Sequence, residues 1–123
     1  MADSRLRVAV IGIGHLGKHH ARILSQMEGA ELVAAVDTQL ERAQAAIAGT
    51  ATRALTDYRD LLGQVDAVTI AVPTEGHRDV AMAFLERGTS VLVEKPMTRT
   101  IAEADELIAA ASASGATLAV GHT

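Results

Sequence analysis

Val8-Ala9-Val10-Ile11-Gly12-Ile13-Gly14-His15-Leu16-Gly17 is the stretch that decides the fold, because four apolar residues lead directly into glycines spaced as G-x-G-x-x-G. An unbroken apolar run predicts a strand buried on both faces, and the glycines predict the turn that leaves it. Gly12 permits a tight turn, Gly14 permits a pyrophosphate to approach the backbone, and Gly17 permits the next helix to pack closely. The free N–H groups at the start of that helix favour a bound phosphate.

Composition limits the class of protein. The 123 residues fit one domain, and 49% are apolar with one Tyr, one Phe and no Trp, so the core is expected to consist of Val, Ile, Leu and Ala. The net charge of −4, with both signs interspersed, argues against a nucleic-acid interface. The absence of Cys excludes disulfides and cysteine metal sites. No apolar run reaches the ~18 residues of a membrane span, and no signal peptide is recognisable, so we expect a soluble cytoplasmic domain.

Strand-like and helix-like segments alternate along the chain. The predicted strands are 5–11, 31–36, 52–54, 67–72, 90–93 and 117–120. The predicted helices are 15–27, 39–48, 57–62, 74–87 and 100–114. Thr100 and Glu103 form a capping-box pattern, Thr56 or Asp57 caps the third helix, and Thr74 caps the fourth. On the first helix, helical spacing places Leu16, His20, Ile23, Leu24 and Met27 on one face, with His20 packed against the sheet.

Apolar strands that alternate with helices favour parallel pairing and right-handed crossovers. We therefore predict an α/β doubly wound Rossmann fold with a six-stranded parallel sheet of order 3-2-1-4-5-6 and three α/β/α layers. In this order the glycine turn lies at the switch point, where ligands bind to such sheets.

Asp37 supplies the second half of a dinucleotide-binding pattern. It ends the second strand, twenty positions after Gly17, where a carboxylate can accept hydrogen bonds from the adenosine ribose hydroxyls. The alternative is a capping role for the helix that begins near Gln39. A carboxylate at this position repels a 2′-phosphate, which favours NAD over NADP. Arg42 is a candidate partner for that phosphate, so NADP remains an alternative.

Three motifs resemble those of the Gfo/Idh/MocA oxidoreductases: the segment from Gly12 to Arg22, the turn from Val72 to His77, and Val93-Glu94-Lys95-Pro96. The ending Val120-Gly121-His122 also matches the family. The resemblance implies an N-terminal nucleotide-binding domain, residues 1–123, of an enzyme that moves a hydride between NAD(P) and a carbinol carbon of a sugar, cyclitol or nucleotide sugar. The motifs look most like those of members that act on UDP-N-acetylhexosamines.

The resemblance gives Lys95 a catalytic role beside the nicotinamide. Removal of a hydride from a carbinol leaves a proton to be taken, and a nearby cation lowers the pKa of that hydroxyl. Glu94 is then expected to orient Lys95 or to contact the nicotinamide side. The alternative for Lys95 is a surface ion pair. For His77, a position facing the ribose or nicotinamide and an exposed position in the first helical turn both remain open.

The candidate cofactor-binding residues lie in four groups along the sequence. They are Gly12, Ile13, Gly14, His15, Leu16 and Gly17; Asp37, Thr38 and Arg42; Ala71, Val72, Pro73, Thr74 and His77; and Glu94, Lys95 and His122. Pro96 leaves open a cis peptide bond after Lys95. His15 and His19 have a spacing that metal sites use, but no third ligand lies nearby in the sequence, so we predict no metal and place His15 over the pyrophosphate.

The resemblance further implies a C-terminal substrate domain that these 123 residues do not include. We expect the chain to bind the dinucleotide without turnover. The sequence leaves the oligomeric state open, with a homo-oligomer as one alternative. A binding-only module with a regulatory or structural dinucleotide is the main alternative, and Lys95 argues against it because such a module needs no proton-handling group. An S-adenosylmethionine enzyme ranks lower, since it does not account for Glu94-Lys95-Pro96.

Overall fold

A computed structural model describes residues 5–73, 76–95 and 97–121 of the chain. Six strands form one sheet: β1 (Leu6–Ile11), β2 (Ala30–Val36), β3 (Arg53–Leu55), β4 (Ala67–Ile70), β5 (Ser90–Glu94) and β6 (Leu118–Gly121). Four α-helices accompany them: α1 (His15–Gln26), α2 (Leu40–Ala46), α3 (His77–Leu85) and α4 (Ile101–Ser114). A short 3-10 helix spans Tyr58–Leu61.

The sheet has the order β3-β2-β1-β4-β5-β6, and all of its neighbouring strands pair in parallel. This confirms the predicted doubly wound topology. Because the strands are parallel, their carboxyl ends lie along one edge of the sheet, which we call the carboxyl edge. The order reverses between β1 and β4, so the glycine turn after β1 lies at the switch point on this edge.

Two apolar clusters cover the two faces of the sheet. On one face, α3 and α4 pack with Phe84 at the centre of a cluster of aliphatic side chains. On the other face, Ala21 of α1 and Ala43 of α2 pack on Val8 and Val10 of β1. Neighbouring residues of β1 therefore belong to opposite clusters, as expected for a strand buried on both faces. The core contains one aromatic residue among Val, Ile, Leu and Ala, as the composition predicted.

The predicted inner face of α1 is wrong in part. Gly17 and Ala21 are its buried residues, whereas Ile23 and Met27 are 49% and 48% exposed. The close approach at Gly17 brings the backbone of the helix near the glycine turn, so only small residues fit between helix and sheet. The larger apolar side chains consequently lie toward the flanks.

Helix ends agree with their predicted caps where the structure describes them. Thr100 Oγ1 accepts a hydrogen bond from the Glu103 amide at 3.1 Å, and Gly115 ends α4 with a φ of 78°. Asp57 caps the 3-10 helix by accepting from the Arg59 amide at 2.9 Å. Within the described ranges, no helix combines the length and the apolar character that crossing a bilayer requires.

Candidate functional site

A cleft of about 800 Å³ lies at the carboxyl edge, beside the switch point. This volume is within the usual range for small-molecule sites. Four segments contribute to its walls: the glycine turn, the residues after β2, the residues after β3, and the residues between β4 and α3. The lining residues are Ile11, Gly12, Ile13, Gly14, Val36, Asp37, Thr38, Arg42, Thr56, Asp57, Tyr58, Arg59, Ala71, Val72, Pro73, Gly76 and Val80.

The three glycines differ in what a side chain would meet. Gly12 has a φ of 95°, and a Cβ built there lies 2.8 Å from the Ala71 carbonyl carbon and the Val72 nitrogen. A Cβ on Gly17 would lie 1.8 Å from the Gly12 carbonyl oxygen. A Cβ on Gly14 meets no atom of the described residues within 4 Å. The outer glycines are therefore required by packing, whereas Gly14 faces the open cleft.

The start of α1 presents backbone donors to this cleft. Gly14 is the N-cap, no side chain caps the helix, and the first intrahelical bond runs from the Lys18 amide to the Gly14 carbonyl. The amides of His15, Leu16 and Gly17 precede that bond, so they are the N–H groups that a helix start leaves available to an anion. The absence of a side chain at Gly14 leaves room for a phosphate against these groups.

The Asp37 carboxylate connects the two halves of the predicted pattern. Its Oδ2 accepts from the Ile13 amide at 2.8 Å, and its Oδ1 accepts from the Gln39 amide at 2.8 Å. The first bond holds the carboxylate against the glycine turn, and the second supports the start of α2, whose N-cap is Gln39. Gln39 is the N-cap and no side chain caps α2 among the described residues, so Asp37 supports the start of the helix without being its cap. Each carboxylate oxygen retains a further lone pair, so these backbone bonds do not exclude a ribose.

The residues after β3 form a wall of the cleft that the sequence analysis did not predict. Arg59 donates from Nε to Asp57 Oδ1 at 3.0 Å, and its guanidinium carbon lies 5.7 Å from the centre of the Tyr58 ring. The hydrogen bonds from the Arg59 side chain and backbone hold the pKa of Asp57 below its ordinary value. The signal for this wall was the strand order, because pairing of β3 with β2 brings residues after Leu55 next to Asp37.

Lys95 is exposed immediately after β5 on the carboxyl edge, outside the lining of the cleft. Within the described residues it takes part in no ion pair, so the alternative of a surface pair has no support there. Glu94 is buried, and its Oε1 lies 2.9 Å from His20 Nε2. The partner of Glu94 is therefore His20, which lies against the end of β5 in the sheet. No described ion pair joins Glu94 to Lys95, and the alternative contact of Glu94 with the nicotinamide side stays a prediction.

His77 is 2% exposed, so the alternative of an exposed first-turn position is wrong. Its Nε2 lies 2.8 Å from the Val72 carbonyl oxygen, and its Nδ1 lies 3.1 Å from the Met97 carbonyl oxygen. Neither His77 nor Glu94 is among the lining residues of the cleft. The position facing the ribose or nicotinamide, which the resemblance implies for His77, stays a prediction.

His15 is exposed at the start of α1, and its ring meets that of His19 edge-on with 4.9 Å between centres. In the part of the chain that the structure describes, no group of three or more His, Asp or Glu side chains is arranged to hold a metal. Thr74, Pro96 and His122 lie outside the described residues. The predicted cap at Thr74, the alternative cis bond before Pro96 and the cofactor contact of His122 therefore stay predictions.

Comparison with known proteins agrees with this geometry. Residues 6–122 match the sequence model of the GFO/IDH/MocA family, described as an oxidoreductase family with an NAD-binding Rossmann fold. UDP-N-acetylglucosamine 3-dehydrogenase of Acidithiobacillus ferrooxidans is 39% identical over 117 residues, which are 95% of this chain and 37% of that protein. Its solved structure has a TM-score of 0.87 over 96% of this chain and 38% of that chain.

Two further relatives differ in the names of their substrates. Inositol 2-dehydrogenase of Arthrobacter sp. strain FB24 is 46% identical over 97 residues, 76% of this chain and 29% of that protein. The WlbA dehydrogenase of Bordetella pertussis, solved in complex with NADH and UDP-GlcNAcA, is 32% identical with a TM-score of 0.86 over 95% of this chain and 37% of that chain. The present chain thus spans less than two fifths of the length of these relatives.

Proposed function

The chain belongs to the GFO/IDH/MocA oxidoreductase family with its NAD-binding Rossmann fold, and on this premise we propose that it carries the cofactor site of a dehydrogenase acting on a sugar, cyclitol or nucleotide sugar. The observation that carries the proposal is the shared cleft. Gly14 and Asp37 both line this cleft, and the first-turn amides of α1 follow directly after Gly14. The named activities of the relatives supply the substrate classes.

The residues present fit a dinucleotide. The first-turn amides of α1 would hold the pyrophosphate, with Gly14 admitting it to close range. The free lone pairs of Asp37 would accept from the adenosine ribose hydroxyls. Ala71, Val72 and Pro73 would line the nicotinamide ribose on the far side of the switch point. Tyr58 and Arg59 offer flat surfaces for the adenine end.

Bound NAD supplies the acceptor for a hydride that leaves the carbinol carbon. As the carbonyl forms, the hydroxyl proton has to pass to water or to a base outside these 123 residues, and the task that we assign to Lys95 is to make that hydroxyl more acidic. Its ammonium group would orient the hydroxyl and lower its pKa, so that the proton leaves more easily. Lys95 follows β5 on the same edge as the cleft, exposed and therefore accessible to a substrate.

The substrate-binding residues are expected outside these 123 residues, since the relatives are more than twice as long. We therefore propose that this chain alone binds NAD and does not turn over substrate. A binding-only module remains the second candidate. An assay of the purified chain with NAD and a panel of UDP-N-acetylhexosamines and inositols tests this, and substrate-dependent formation of NADH would refute the absence of turnover.

A preference for NAD over NADP is the finer part of the proposal. Asp37 would repel a 2′-phosphate, and the neighbouring Arg59 is already paired with Asp57. Arg42 lines the same end and takes part in none of the described ion pairs, so it is the side chain that could bind a 2′-phosphate. The Asp37 carboxylate is held in place by two backbone hydrogen bonds, whereas the Arg42 side chain is exposed. We therefore expect the repulsion of a 2′-phosphate by Asp37 to outweigh its attraction to Arg42, which favours NAD.

Titration of the chain with NADH and NADPH, followed by fluorescence, tests both the binding of the dinucleotide and the preference for NAD. We expect NADH to bind more tightly, and Asp37→Asn to weaken NADH binding about tenfold, because an amide cannot replace all the charge-assisted bonds of the carboxylate. Glu41→Gln, on exposed α2, removes the same charge without a backbone bond and is the control. Tighter binding of NADPH by the unmodified chain would overturn the NAD preference, and binding of neither would overturn the proposed function.

A further inference from the structure

A buried histidine–carboxylate contact joins α1 to the end of β5. His20 Nε2 lies 2.9 Å from Glu94 Oε1, and the side chains are 20% and 10% exposed. Gly121 of β6 lies against the same carboxylate, since a Cβ there would be 3.5 Å from both Glu94 oxygens. The other ring nitrogen, His20 Nδ1, is buried and has no hydrogen-bond partner among the residues that the structure describes. Glu94 is therefore the group that fixes the ring, and it directly precedes Lys95.

A second histidine, which is fully buried, reaches the same segment from the opposite side of the sheet. His77 of α3 contacts the Val72 carbonyl beyond β4 and the Met97 carbonyl two residues after Lys95. The α1 helix packs in one apolar cluster and α3 in the other, so His20 and His77 come from different layers. One histidine thus contacts the residue before Lys95, and the other contacts the backbone shortly after it.

We infer that His20 and His77 are positioning residues that together hold Lys95 at the cofactor cleft, an inference that rests on the proposed function of Lys95. Lys95 itself is exposed and forms no ion pair among the described residues, so its own side chain does not fix its place. A flexible lysine acts in proton transfer only when its backbone is held at the required distance from the reacting group. The two histidines supply that restraint from within the protein.

The arrangement also connects the two ends of the cofactor site. The helix that begins at the glycine turn carries His20 one turn further along, and His77 contacts Val72, which lines the cleft. Displacement of the glycine turn or of the segment after β4 would therefore act on the backbone around Lys95. Neither histidine needs to touch cofactor or substrate for this role.

The chain is well suited to a direct test because it contains two lysines, Lys18 and Lys95. Selective lysine labelling gives one backbone NMR signal from each, and Lys18 on α1 serves as the internal control. In His20→Phe and His77→Phe, which keep a flat ring without hydrogen bonds, we expect the order parameter of the Lys95 amide to fall from about 0.85 to about 0.6. His19→Phe, on the exposed face of α1, is the matched control and should leave it unchanged.

A readout with NADH separates positioning from general stability. In the two Phe variants we expect the NADH-induced shift of the Lys95 side-chain signal to be at least halved. The Kd for NADH should rise by less than about tenfold, which is the smallest loss usually seen when a group that orients a functional residue is removed. His20→Gln, whose amide can still donate to Glu94, should restore the Lys95 response. Should His77→Phe fail to fold, His77→Gln is measured instead, and the order parameter should fall because its single nitrogen cannot reach both carbonyls that two ring nitrogens contact. Should His20→Phe fail to fold, His20→Ala is measured instead, and the order parameter should fall because alanine cannot contact Glu94.

Different results would refute the positioning role and the proposed function. Unchanged Lys95 order parameters and shifts in folded variants of both histidines would refute the positioning role. Failure of the unmodified chain to bind NADH would refute the proposed function, and the order parameters of the free protein would still decide whether the two histidines restrain Lys95.

Discussion

Gly12 and Gly14 lie two residues apart in one turn, and a methyl group would act differently at each. At Gly12 the positive φ and the 2.8 Å approach to the backbone of residues 71 and 72 make alanine strained. We expect Gly12→Ala to lower the free energy of unfolding by about 1–3 kcal/mol. Gly14→Ala should change it by less than about 1 kcal/mol and should weaken NADH binding at least about tenfold, because the added methyl occupies the space of the pyrophosphate.

Thermal unfolding and NADH titration of the same two variants provide the measurement, each variant serving as the control for the other. Gly14→Ala that binds NADH as tightly as wild type would contradict the placement of the pyrophosphate. Gly12→Ala with an unchanged melting temperature would contradict the packing requirement.

The positions of single site residues could be predicted from the sequence where the course of the backbone alone brings them together. The three glycines and Asp37 stand at fixed distances along strand and turn, so their meeting at the switch point followed from the pattern. The contacts of His20 and His77 could not be predicted in the same way. Both reach groups more than four residues away that only the packed layers bring together, Glu94 in one case and Met97 in the other.

At the scale of the elements, strand order and helix order followed from alternation alone, while the orientation of α1 did not. Helical spacing grouped its large apolar residues, yet the close contact at Gly17 selects the small ones for the sheet. The predicted start of α3 at residue 74 lies outside the described residues, and the described helix begins at His77. Turn and packing constraints decide such details, and neither appears in a hydrophobic pattern.

The cap of α4 provides a prediction at this scale. Thr100 Oγ1 accepts from the Glu103 amide, and Glu103 reaches back to Arg99, where the expected capping box would have reached Thr100. Thr100→Ala should lower the free energy of unfolding by about 1 kcal/mol, because the Glu103 amide loses its acceptor. Urea denaturation measures this. Ser112→Ala, on the exposed side of α4, is the control and should change it by less than about 0.5 kcal/mol; equal effects of both would contradict the cap.

Across the whole molecule, exposed carboxylates tie distant segments together and make stability depend on pH. Asp66 accepts from the Arg7 amide at 2.8 Å and from its guanidinium at 3.4 Å, which links the start of β1 to the segment before β4. These bonds, the backbone bond first, hold the pKa of Asp66 below its ordinary value. The Arg99 side chain lowers the pKa of Glu103 in the same direction.

A carboxyl group with a lowered pKa in the folded state stabilises the protein above its unfolded pKa, about 3.9 for Asp and 4.3 for Glu. That contribution is lost as the pH falls through the folded value. We therefore expect the melting temperature to be insensitive to these groups between pH 7 and pH 5, and to fall as acid is added below about pH 4.5.

Asp66→Asn tests the assignment, because the amide keeps an acceptor oxygen but cannot titrate. The variant should be less stable than wild type at pH 7, and the difference should shrink steadily as the pH falls below about 4, where wild-type Asp66 also loses its charge. Asp105→Asn, on exposed α4 and in none of the described ion pairs, is the control, and its difference from wild type should not follow this course. Melting temperatures followed by circular dichroism provide the comparison. The difference in melting temperature between Asp66→Asn and wild type could instead stay constant from pH 7 to pH 3. That result would contradict the prediction, because it would mean that the two bonds to Arg7 stabilise the protein without any contribution from the charge of Asp66.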